Sequence, residues 1–322
     1  MERRTYMNRQ TTGIHHITAI VGNPQENVDF YAGVLGMRLV KKTVNFDDPG
    51  TYHLYFGNEA GSPGTIITFF PWPDAYKGRI GSGQVETTTY VVPEGTLDFW
   101  EKRLGKFKIV FEKVTRFGEE FLKFNDPHGL HLELVARQSG QNSEWAFGGV
   151  QADQAIKGFG GAILLTANPE KTMQVLENVM GLQKVGEEGE FVRFQATGDI
   201  GNIIDVKKST LPMGQMGVGT VHHIAWRAND FDDHKEWREH VSSFGIGVTP
   251  FKDRQYFDAI YFREPGGILF EIATDPPGFT RDESKETLGS KLMLPPWLEE
   301  KREFLEETLL PAIPRVLEED II

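Results

Sequence analysis

The chain has 322 residues, a formal net charge of −12 at neutral pH and no cysteine. The acidic balance disfavours nucleic acids and anionic membranes as partners, because both attract basic surfaces. The absence of cysteine excludes disulfides, thiolate metal sites and a cysteine nucleophile. There is no long apolar run and no apolar N-terminal stretch, so we expect a cytoplasmic protein without a membrane span.

A similar apolar strand followed by a helical pattern occurs four times along the sequence. The opening strands are 13–21, 85–93, 158–166 and 219–227, and the helical stretches are 23–36, 96–105, 168–181 and 230–245. Two of the helical stretches share an Asn-Pro start and a glycine stop. Short strands such as 191–195 and 259–265 follow each helix. This order predicts an α+β fold built from strand–helix–strands units.

Each unit closes with a glycine followed by a short apolar strand. The four glycines are separated by 65, 72 and 66 residues, and they are Gly64, Gly129, Gly201 and Gly267. One equivalent position lies four residues after each glycine, and it holds Thr68, Glu133, Asp205 and Glu271. A near-constant period of this length indicates an internal repeat.

The repeat predicts four modules in two domains and a separate tail. We expect an N-terminal domain over 1–150, with modules at 13–70 and 85–137, and a C-terminal domain over 151–275, with modules at 157–207 and 219–275. Residues 276–322 lose the repeat and are typical of a helical extension punctuated by proline. We expect this tail to pack or to form a dimer interface, and a lid near the active site is the alternative.

Adjacent histidines occur in the opening strands of modules one and four. They are His15 and His16 in GIHHITAI, and His222 and His223 in GTVHHIAWR. Neighbouring side chains of a strand point to opposite faces of the sheet. We therefore expect one histidine of each pair on each face.

Four βαβββ units with histidine on an opening strand and glutamate on a closing strand resemble the vicinal oxygen chelate superfamily. This superfamily includes glyoxalases, bleomycin-resistance proteins and extradiol dioxygenases, and the resemblance covers residues 13–275. It implies two cupped mixed sheets, each built from two modules. Each module offers one candidate ligand from its first strand and one from its last.

The residues leave open which modules pair. The candidates in chain order are His16 and Thr68, Thr88 and Glu133, Ala162 and Asp205, and His223 and Glu271. Pairing of sequence neighbours would give two cups with one first-strand histidine each. Pairing of module one with four collects both histidines and a glutamate in one cup. We expect this second arrangement because it makes one complete site.

Module three has no opening histidine, which departs from the pattern of catechol-cleaving members. The chain resembles instead the MhqO-type hydroquinone ring-cleaving dioxygenases, whose ligands come from the first and last modules. The resemblance implies His16, His223 and Glu271 as metal ligands. Two imidazoles and one carboxylate with open positions suit non-haem Fe(II), and Mn, Zn and Ni are alternative metals.

The same resemblance implies roles for residues around these ligands. His15 and His222 would support the ligands and take part in catalysis. Tyr261 and Arg254 would serve both catalysis and substrate binding, and Thr18 would bind substrate.

Three further polar residues are expected to have no role in the site. Glu133 lacks a histidine at its position in the repeat and is expected to be structural. His53 and His234 lie at no repeat position and are expected at the surface.

The resemblance implies a metal-dependent dioxygenase that cleaves a hydroquinone- or catechol-like aromatic with O2, with quinone detoxification as its role by analogy. We also expect a homo-oligomer, a dimer. A glyoxalase-like isomerase or lyase, or a thiol transferase, is the first alternative. Such enzymes commonly use a second carboxylate, and Thr68 at that position cannot act as a base. A non-enzymatic protein that binds an aromatic compound and confers resistance is the second alternative, because one scaffold hosts all three functions.

Overall fold

The structure is a computed structural model that describes residues 9–321 of the chain. Module one contributes β1 (Ile14–Val21), β2 (Arg38–Asn45), β3 (Asp48–Gly57) and β4 (Ile66–Pro71). Module two contributes β5 (Gln84–Val92), β6 (Phe111–Arg116), β7 (Glu119–Asn125) and β8 (His131–Ala136). Module three contributes β9 (Gly158–Leu165), β10 (Gln183–Glu188), β11 (Phe191–Gln195) and β12 (Ile203–Lys207). Module four contributes β13 (Thr220–Ala228), β14 (Lys252–Asp253), β15 (Phe257–Arg263) and β16 (Leu269–Pro277).

Within the described residues these strands form two curled, mixed, eight-stranded sheets. One sheet has the order β14-β15-β16-β13-β1-β4-β3-β2, and the other has the order β10-β11-β12-β9-β5-β8-β7-β6. Module four therefore pairs with module one, and module three pairs with module two, which confirms the expected pairing. Each sheet takes strands from both sides of residue 150, so the proposed two-domain boundary does not separate the sheets.

The two opening strands meet at the centre of the first sheet. β1 and β13 run antiparallel, and each lies parallel to the last strand of its own module. Thr18 is in register with Thr68, and Ala225 is in register with Glu271. Thr68 and Glu271, which are equivalent in the repeat, thus lie on either side of the central strands β1 and β13.

The register between β1 and β13 shifts at both His-His dipeptides. One shift lies between Ile14 and His16, which makes His15 an extra residue on β1. The other lies between His223 and Val221, which makes His222 an extra residue on β13. A β-bulge of this kind breaks the strict alternation of side chains and re-aims them. The expectation from strict strand alternation, that the two histidines of each pair lie on opposite faces of the sheet, is therefore wrong.

Helices cover the outer faces of the sheets where the sequence pattern predicts them. They are α1 (Pro24–Val28), α2 (Leu97–Lys106), α3 (Pro169–Gln174) and α4 (Phe231–Ser243), and π-helical turns extend α1 over Asp29–Val34 and α3 over Val175–Val179. Both Asn-Pro starts are N-caps, because the side chains of Asn23 and Asn168 accept hydrogen bonds from backbone N–H groups of the first turn. Trp100 of α2 and Trp237 of α4 are buried against the sheets.

The tail contains short helical segments that pack on module one. They are the 3₁₀ turns Phe279–Arg281, Lys285–Thr287 and Pro296–Lys301, then α5 (Arg302–Thr308) and α6 (Glu318–Ile321). Leu298 and Leu305 are buried, and Leu292 bridges to Lys42 of the edge strand β2. The tail thus covers an edge that would otherwise offer unpaired backbone groups. Among the residues described, no helix is both long and apolar enough to cross a membrane.

Candidate metal centre

Three side chains from three adjacent strands converge on the concave face of the first sheet. His16 comes from β1, His223 from β13 and Glu271 from β16, and all three are buried. The Nε2 atoms of the two histidines are 3.3 Å apart. Glu271 Oε2 lies 2.7 Å from His223 Nε2 and 3.5 Å from His16 Nε2. Ligands about 2.1 Å from one metal ion are separated from each other by about 3 Å, so this spacing fits a shared ion.

The small Ala225 leaves room for this convergence. It is in register with His16 on one side and with Glu271 on the other, so its methyl group lies between their side chains. Ala225 is fully buried. A larger side chain here would fill the space on which the three donor atoms converge.

The charges in this cluster also fit a bound cation. Glu271 is fully buried, and in the part of the chain that the structure describes its ion-pair partners are the two imidazoles. Glu271 Oε1 has no hydrogen-bond partner among these residues. Burial alone would raise the pKa of this carboxyl, but the adjacent His16 and His223 hold its pKa well below the usual range. A buried carboxylate that faces imidazole nitrogens needs a compensating positive charge.

The outer histidines, His15 and His222, contact the inner histidines, His16 and His223. Each contact joins the Nδ1 atoms of the two rings and leaves the Nε2 atom of the inner ring facing the convergent site. His15 Nδ1 lies 2.9 Å from His16 Nδ1, and His222 Nδ1 lies 2.8 Å from His223 Nδ1. Burial and the adjacent inner histidine lower the pKa of His15 well below its ordinary value and that of His222 to about 3. Each outer ring is therefore neutral and can accept the Nδ1–H of its neighbour, which leaves the inner Nε2 lone pair for a metal.

A cavity of about 470 Å³ opens onto the three convergent groups. Its walls include the aromatic rings of Phe70, Trp72, Phe257 and Tyr261. The ring of Phe257 lies 4.8 Å from that of His16, centroid to centroid. A largely apolar cavity with a few convergent polar groups is typical of a small-molecule site, and these walls suit a flat aromatic ligand.

Tyr261 and Arg254 lie together in this cavity. Tyr261 is in register with Glu271, and its hydroxyl accepts a hydrogen bond from Arg254 Nε at 3.3 Å. Burial and the nearby carboxylate raise the pKa of Tyr261, so its phenol keeps its proton. Arg254 also pairs with Asp47 of the β2–β3 turn at 3.2 Å. The pair offers one cation and one neutral hydroxyl to a ligand.

Three further predicted residues lie at different depths around the same site. His222 lines the cavity, whereas His15 is buried behind His16 and Phe257. Thr18 lines the cavity and is in register with His223. The structure thus brings Thr18, His222, Arg254 and Tyr261 to one cavity and places His15 behind it.

The expectation that His53 and His234 lie at the surface is wrong. His53 lines the cavity, and its ring nitrogens contact Thr68 and Tyr55. His234 is fully buried on α4, where its Nε2 donates to the carbonyl of Ile272. His53 and Tyr55 are two residues apart on β3, and this alternation was the signal in the sequence for a shared face.

In the second sheet, arginine side chains contact the carboxylates at the repeat positions equivalent to Thr68 and Glu271. Arg116 contacts Glu133 at 2.8 Å and Asp205 at 2.7 Å, and Arg193 adds a contact to Asp205 at 2.8 Å. All four side chains are buried. Glu133 therefore has the ionic partner that a structural carboxylate requires.

Comparison with known proteins places the chain in one family. Residues 13–134 and 158–272 match the model of the Glyoxalase/Bleomycin resistance protein/Dioxygenase superfamily. The chain is 64% identical over 312 residues to MhqO of Bacillus subtilis, named as a candidate ring-cleaving dioxygenase, with 97% of this chain and 100% of that protein covered. It is 37% identical over 312 residues to the chlorohydroquinone/hydroquinone 1,2-dioxygenase of Sphingobium indicum, with 92% and 95% covered.

Solved structures agree with this placement. The crystal structure of a candidate dioxygenase from Bacillus subtilis is 64% identical, has a TM-score of 0.95 and covers 96% of this chain and 100% of its own. Glyoxalase I from Zea mays is 13% identical, with a TM-score of 0.60 over 82% of this chain and 92% of its own, and it shares the fold. Since the family model matches most of the chain, the protein belongs to the Glyoxalase/Bleomycin resistance protein/Dioxygenase superfamily.

Proposed function

We propose that this protein is a metal-dependent dioxygenase that uses Fe(II) and O2 to cleave the ring of a hydroquinone- or catechol-like compound. The observation that carries the proposal is the buried set of His16, His223 and Glu271 at the base of an aromatic-walled cavity. Two imidazoles and one carboxylate are the donor set of non-haem Fe(II) oxygenases. The dioxygenase names of the relatives in Bacillus subtilis and Sphingobium indicum support the same reaction class.

In this proposal the bound metal supplies Lewis acidity, which lowers the pKa of a phenolic hydroxyl, and redox capacity toward oxygen. The protein's own groups orient the substrate and stabilise its charge. Phe70 and Phe257 hold the ring and exclude water, and the guanidinium of Arg254 stabilises a phenolate oxygen. Tyr261 donates its phenolic proton in a hydrogen bond, since its raised pKa keeps it neutral. His15 and His222 orient the ligand imidazoles.

Thr68 supports oxygen chemistry over the glyoxalase-like alternative. It occupies on β4 the place that Glu271 occupies on β16, each in register with the central strand of its own module. A threonine hydroxyl offers neither a second carboxylate ligand nor a carboxylate base. A metal in this site would therefore be held by one carboxylate and two imidazoles, and Thr68 would add no further carboxylate ligand.

An oxygen-uptake experiment tests the proposal. The metal-free protein is loaded anaerobically with Fe(II), Mn(II), Zn(II) or Ni(II), mixed with hydroquinone, chlorohydroquinone or catechol, and then exposed to oxygen. We expect the Fe(II) protein to consume one O2 per aromatic ring, with loss of the aromatic absorbance. Glu271→Gln keeps the size of the side chain but removes its charge, and it should lose both metal and oxygen uptake.

Two outcomes would count against the proposal. Absence of oxygen uptake with every dihydroxybenzene would reject the dioxygenase. Turnover of a hemithioacetal by the Zn(II) or Ni(II) protein without oxygen consumption would favour the glyoxalase-like reaction.

A further inference from the structure

A chain of four hydrogen-bonded side chains runs along one wall of the cavity, on module one. The Tyr55 hydroxyl lies 2.8 Å from His53 Nδ1, and His53 Nε2 lies 2.8 Å from Thr68 Oγ1. Thr68 Oγ1 lies 2.8 Å from Thr18 Oγ1. The chain begins at Tyr55 and ends at Thr18, which is in register with the candidate ligand His223.

The sheet register fixes the two ends of this chain. Tyr55 is in register with Thr68, and Thr68 is in register with Thr18. Thr18 is in turn in register with His223 across the β1–β13 junction. Tyr55 is buried, with 1% of its surface exposed, and packs on Phe279. Tyr55 and Thr18, the two ends of the chain, both line the cavity, and the Thr18 end lies beside the His16–His223 pair.

The buried phenol sets the direction of the chain. Burial raises the pKa of Tyr55 well above its ordinary value, so its hydroxyl keeps the proton. Among the described residues its hydrogen-bond partner is His53 Nδ1, which must therefore accept. The neutral ring then carries its proton on Nε2 and donates to Thr68.

The directions of the remaining hydrogen bonds follow because each threonine hydroxyl has one proton to donate. Thr68 already accepts from His53, and its own proton is directed to Thr18 Oγ1. The Thr18 proton then has no acceptor within the described protein and points to the cavity. In the reverse direction the Tyr55 oxygen would accept from His53, and its proton would have no acceptor among the described residues. That arrangement is the costlier one, because a phenol hydroxyl is a stronger hydrogen-bond donor and a weaker acceptor than the alcohol hydroxyl of threonine.

We propose that Tyr55, His53 and Thr68 are positioning residues that hold the Thr18 hydroxyl as a fixed hydrogen-bond donor to an anionic oxygen of the phenolic substrate. The direction of the chain is independent of the proposed function, whereas the ligand of Thr18 rests on it. A fixed donor favours a phenolate oxygen and disfavours a group that can only donate, because two donors cannot pair.

The tautomer of His53 tests the direction without any substrate or metal. Nitrogen NMR of the uniformly ¹⁵N-labelled protein separates the two ring tautomers, and the His53 signals are identified by their loss in His53→Gln. We expect a proton on Nε2 of His53. His234 and His240 are internal references, because each contacts a carbonyl through Nε2 and carbonyls only accept. A proton on Nδ1, or on both nitrogens, would overturn the proposal.

Removing the phenol tests what sets the tautomer. Tyr55→Phe should release His53 into a mixture of tautomers with averaged nitrogen shifts. Tyr52→Phe is the matched control, since Tyr52 lies on the same strand with the opposite alternation and should leave His53 unchanged. An unchanged His53 tautomer in Tyr55→Phe would refute the role of Tyr55.

Binding of hydroquinone tests the Thr18 donor. In the anaerobic Fe(II) protein, Thr68→Val removes the relay without changing side-chain size and should weaken hydroquinone binding about tenfold. Thr68→Ser retains the hydroxyl and should restore the affinity, and Tyr52→Phe should not change it. Equal affinities of wild type and Thr68→Val would overturn the donor role. Failure of the wild type to bind any dihydroxybenzene would reject the proposed function and the Thr18 ligand, while the His53 tautomer would still stand.

Discussion

Buried carboxylates in this protein are compensated in different ways, and the compensation indicates the role of each one. Glu133 meets the guanidinium of Arg116. Glu264 accepts backbone N–H bonds from Gly266 and Ile268. Glu271 pairs with two imidazoles, and one of its oxygens has no hydrogen-bond partner in the described chain. A buried charge without full compensation is costly, so the surroundings of Glu271 fit a bound cation, whereas Glu133 and Glu264 already have their partners.

Asp258 is a carboxylate whose environment opposes its charge. Burial and the nearby Asp253 raise its pKa to about 6, and Arg281 offsets this in part. The folded state therefore binds a proton more tightly than the unfolded state, and the ionised carboxyl destabilises the fold as pH rises from about 4 through about 6.

We predict that Asp258→Asn stabilises the protein at pH 8 by about 1 kcal/mol, less than the full shift implies, because solvent screens the carboxyl. The gain should disappear below about pH 4, where the aspartic acid is neutral in both states. Urea unfolding of both proteins between pH 4 and pH 8 measures this. A gain that does not depend on pH would contradict the assigned cause.

At the scale of elements, the central strand pair builds the site through its register. The β1–β13–β16 ladder brings His16, Ala225 and Glu271 into one row, and the bulges bring each outer histidine beside its neighbour. A bulge next to an active site is a common device for re-aiming a side chain. Here each His-His dipeptide supplies a candidate ligand and a second histidine whose Nδ1 atom contacts the Nδ1 atom of that ligand.

Ala225→Leu should abolish metal binding while the sheet still forms. The added carbons would lie between the His16 and Glu271 side chains, and overpacking of this kind costs about 1–3 kcal/mol of stability. Elemental analysis after anaerobic loading, together with circular dichroism, measures both effects. Ala225→Gly is the matched control and should retain metal. Full metal content in the leucine variant would show that the space is not where the ion binds.

Arg116 should contribute to the stability of the second sheet and should not affect metal binding. Arg116→Met leaves Glu133 and Asp205 buried with one cation fewer, and loss of one partner of a buried ion pair costs about 3–5 kcal/mol. Denaturant unfolding measures the loss, and metal content should stay at the wild-type level. Lys113→Met is the control. Lys113 lies on the same strand as Arg116 and forms an exposed ion pair with Glu101, so its loss should change the free energy of unfolding little.

At the scale of the whole molecule, a buried arginine joins parts of the chain that are far apart in sequence. Arg103 of α2 donates to the carbonyls of Gly33, Val34 and Gly148, and it pairs with Asp320 of α6 at 2.8 Å. It therefore links module one, module two and the end of the tail. The tail also reaches the cavity, since Trp297 packs on Phe46, which lines it.

We predict that Arg103→Met destabilises the protein by about 3–5 kcal/mol, because it leaves three carbonyls without this donor and leaves Asp320 with Lys106 as its remaining ion-pair partner among the described residues. Asp320→Asn removes only the charge and should cost about 1 kcal/mol. Thermal and urea unfolding measure the difference. Equal losses in the two variants would show that the ion pair, and not the set of carbonyl contacts, carries the effect.

Local patterns made much of the fold predictable. The four modules, the Asn-Pro caps and the repeat position of Glu271 follow from periods and spacings along the chain, because helices and strand alternation depend on near neighbours. The resemblance to a known family then pointed to His16 and His223. His53 was missed because it lies at no repeat position, and only its place beside Thr68 reveals its contacts.

The sequence by itself determined that four related modules exist and which positions in them are equivalent. Only the tertiary structure decided which modules pair, where the β-bulges fall and which way each histidine points. The physical reason is that strand edges offer the same backbone donors and acceptors whatever their sequence, so partner and register are chosen by packing over long separations. That choice brings residues 16, 223 and 271 within ligand distance of one another.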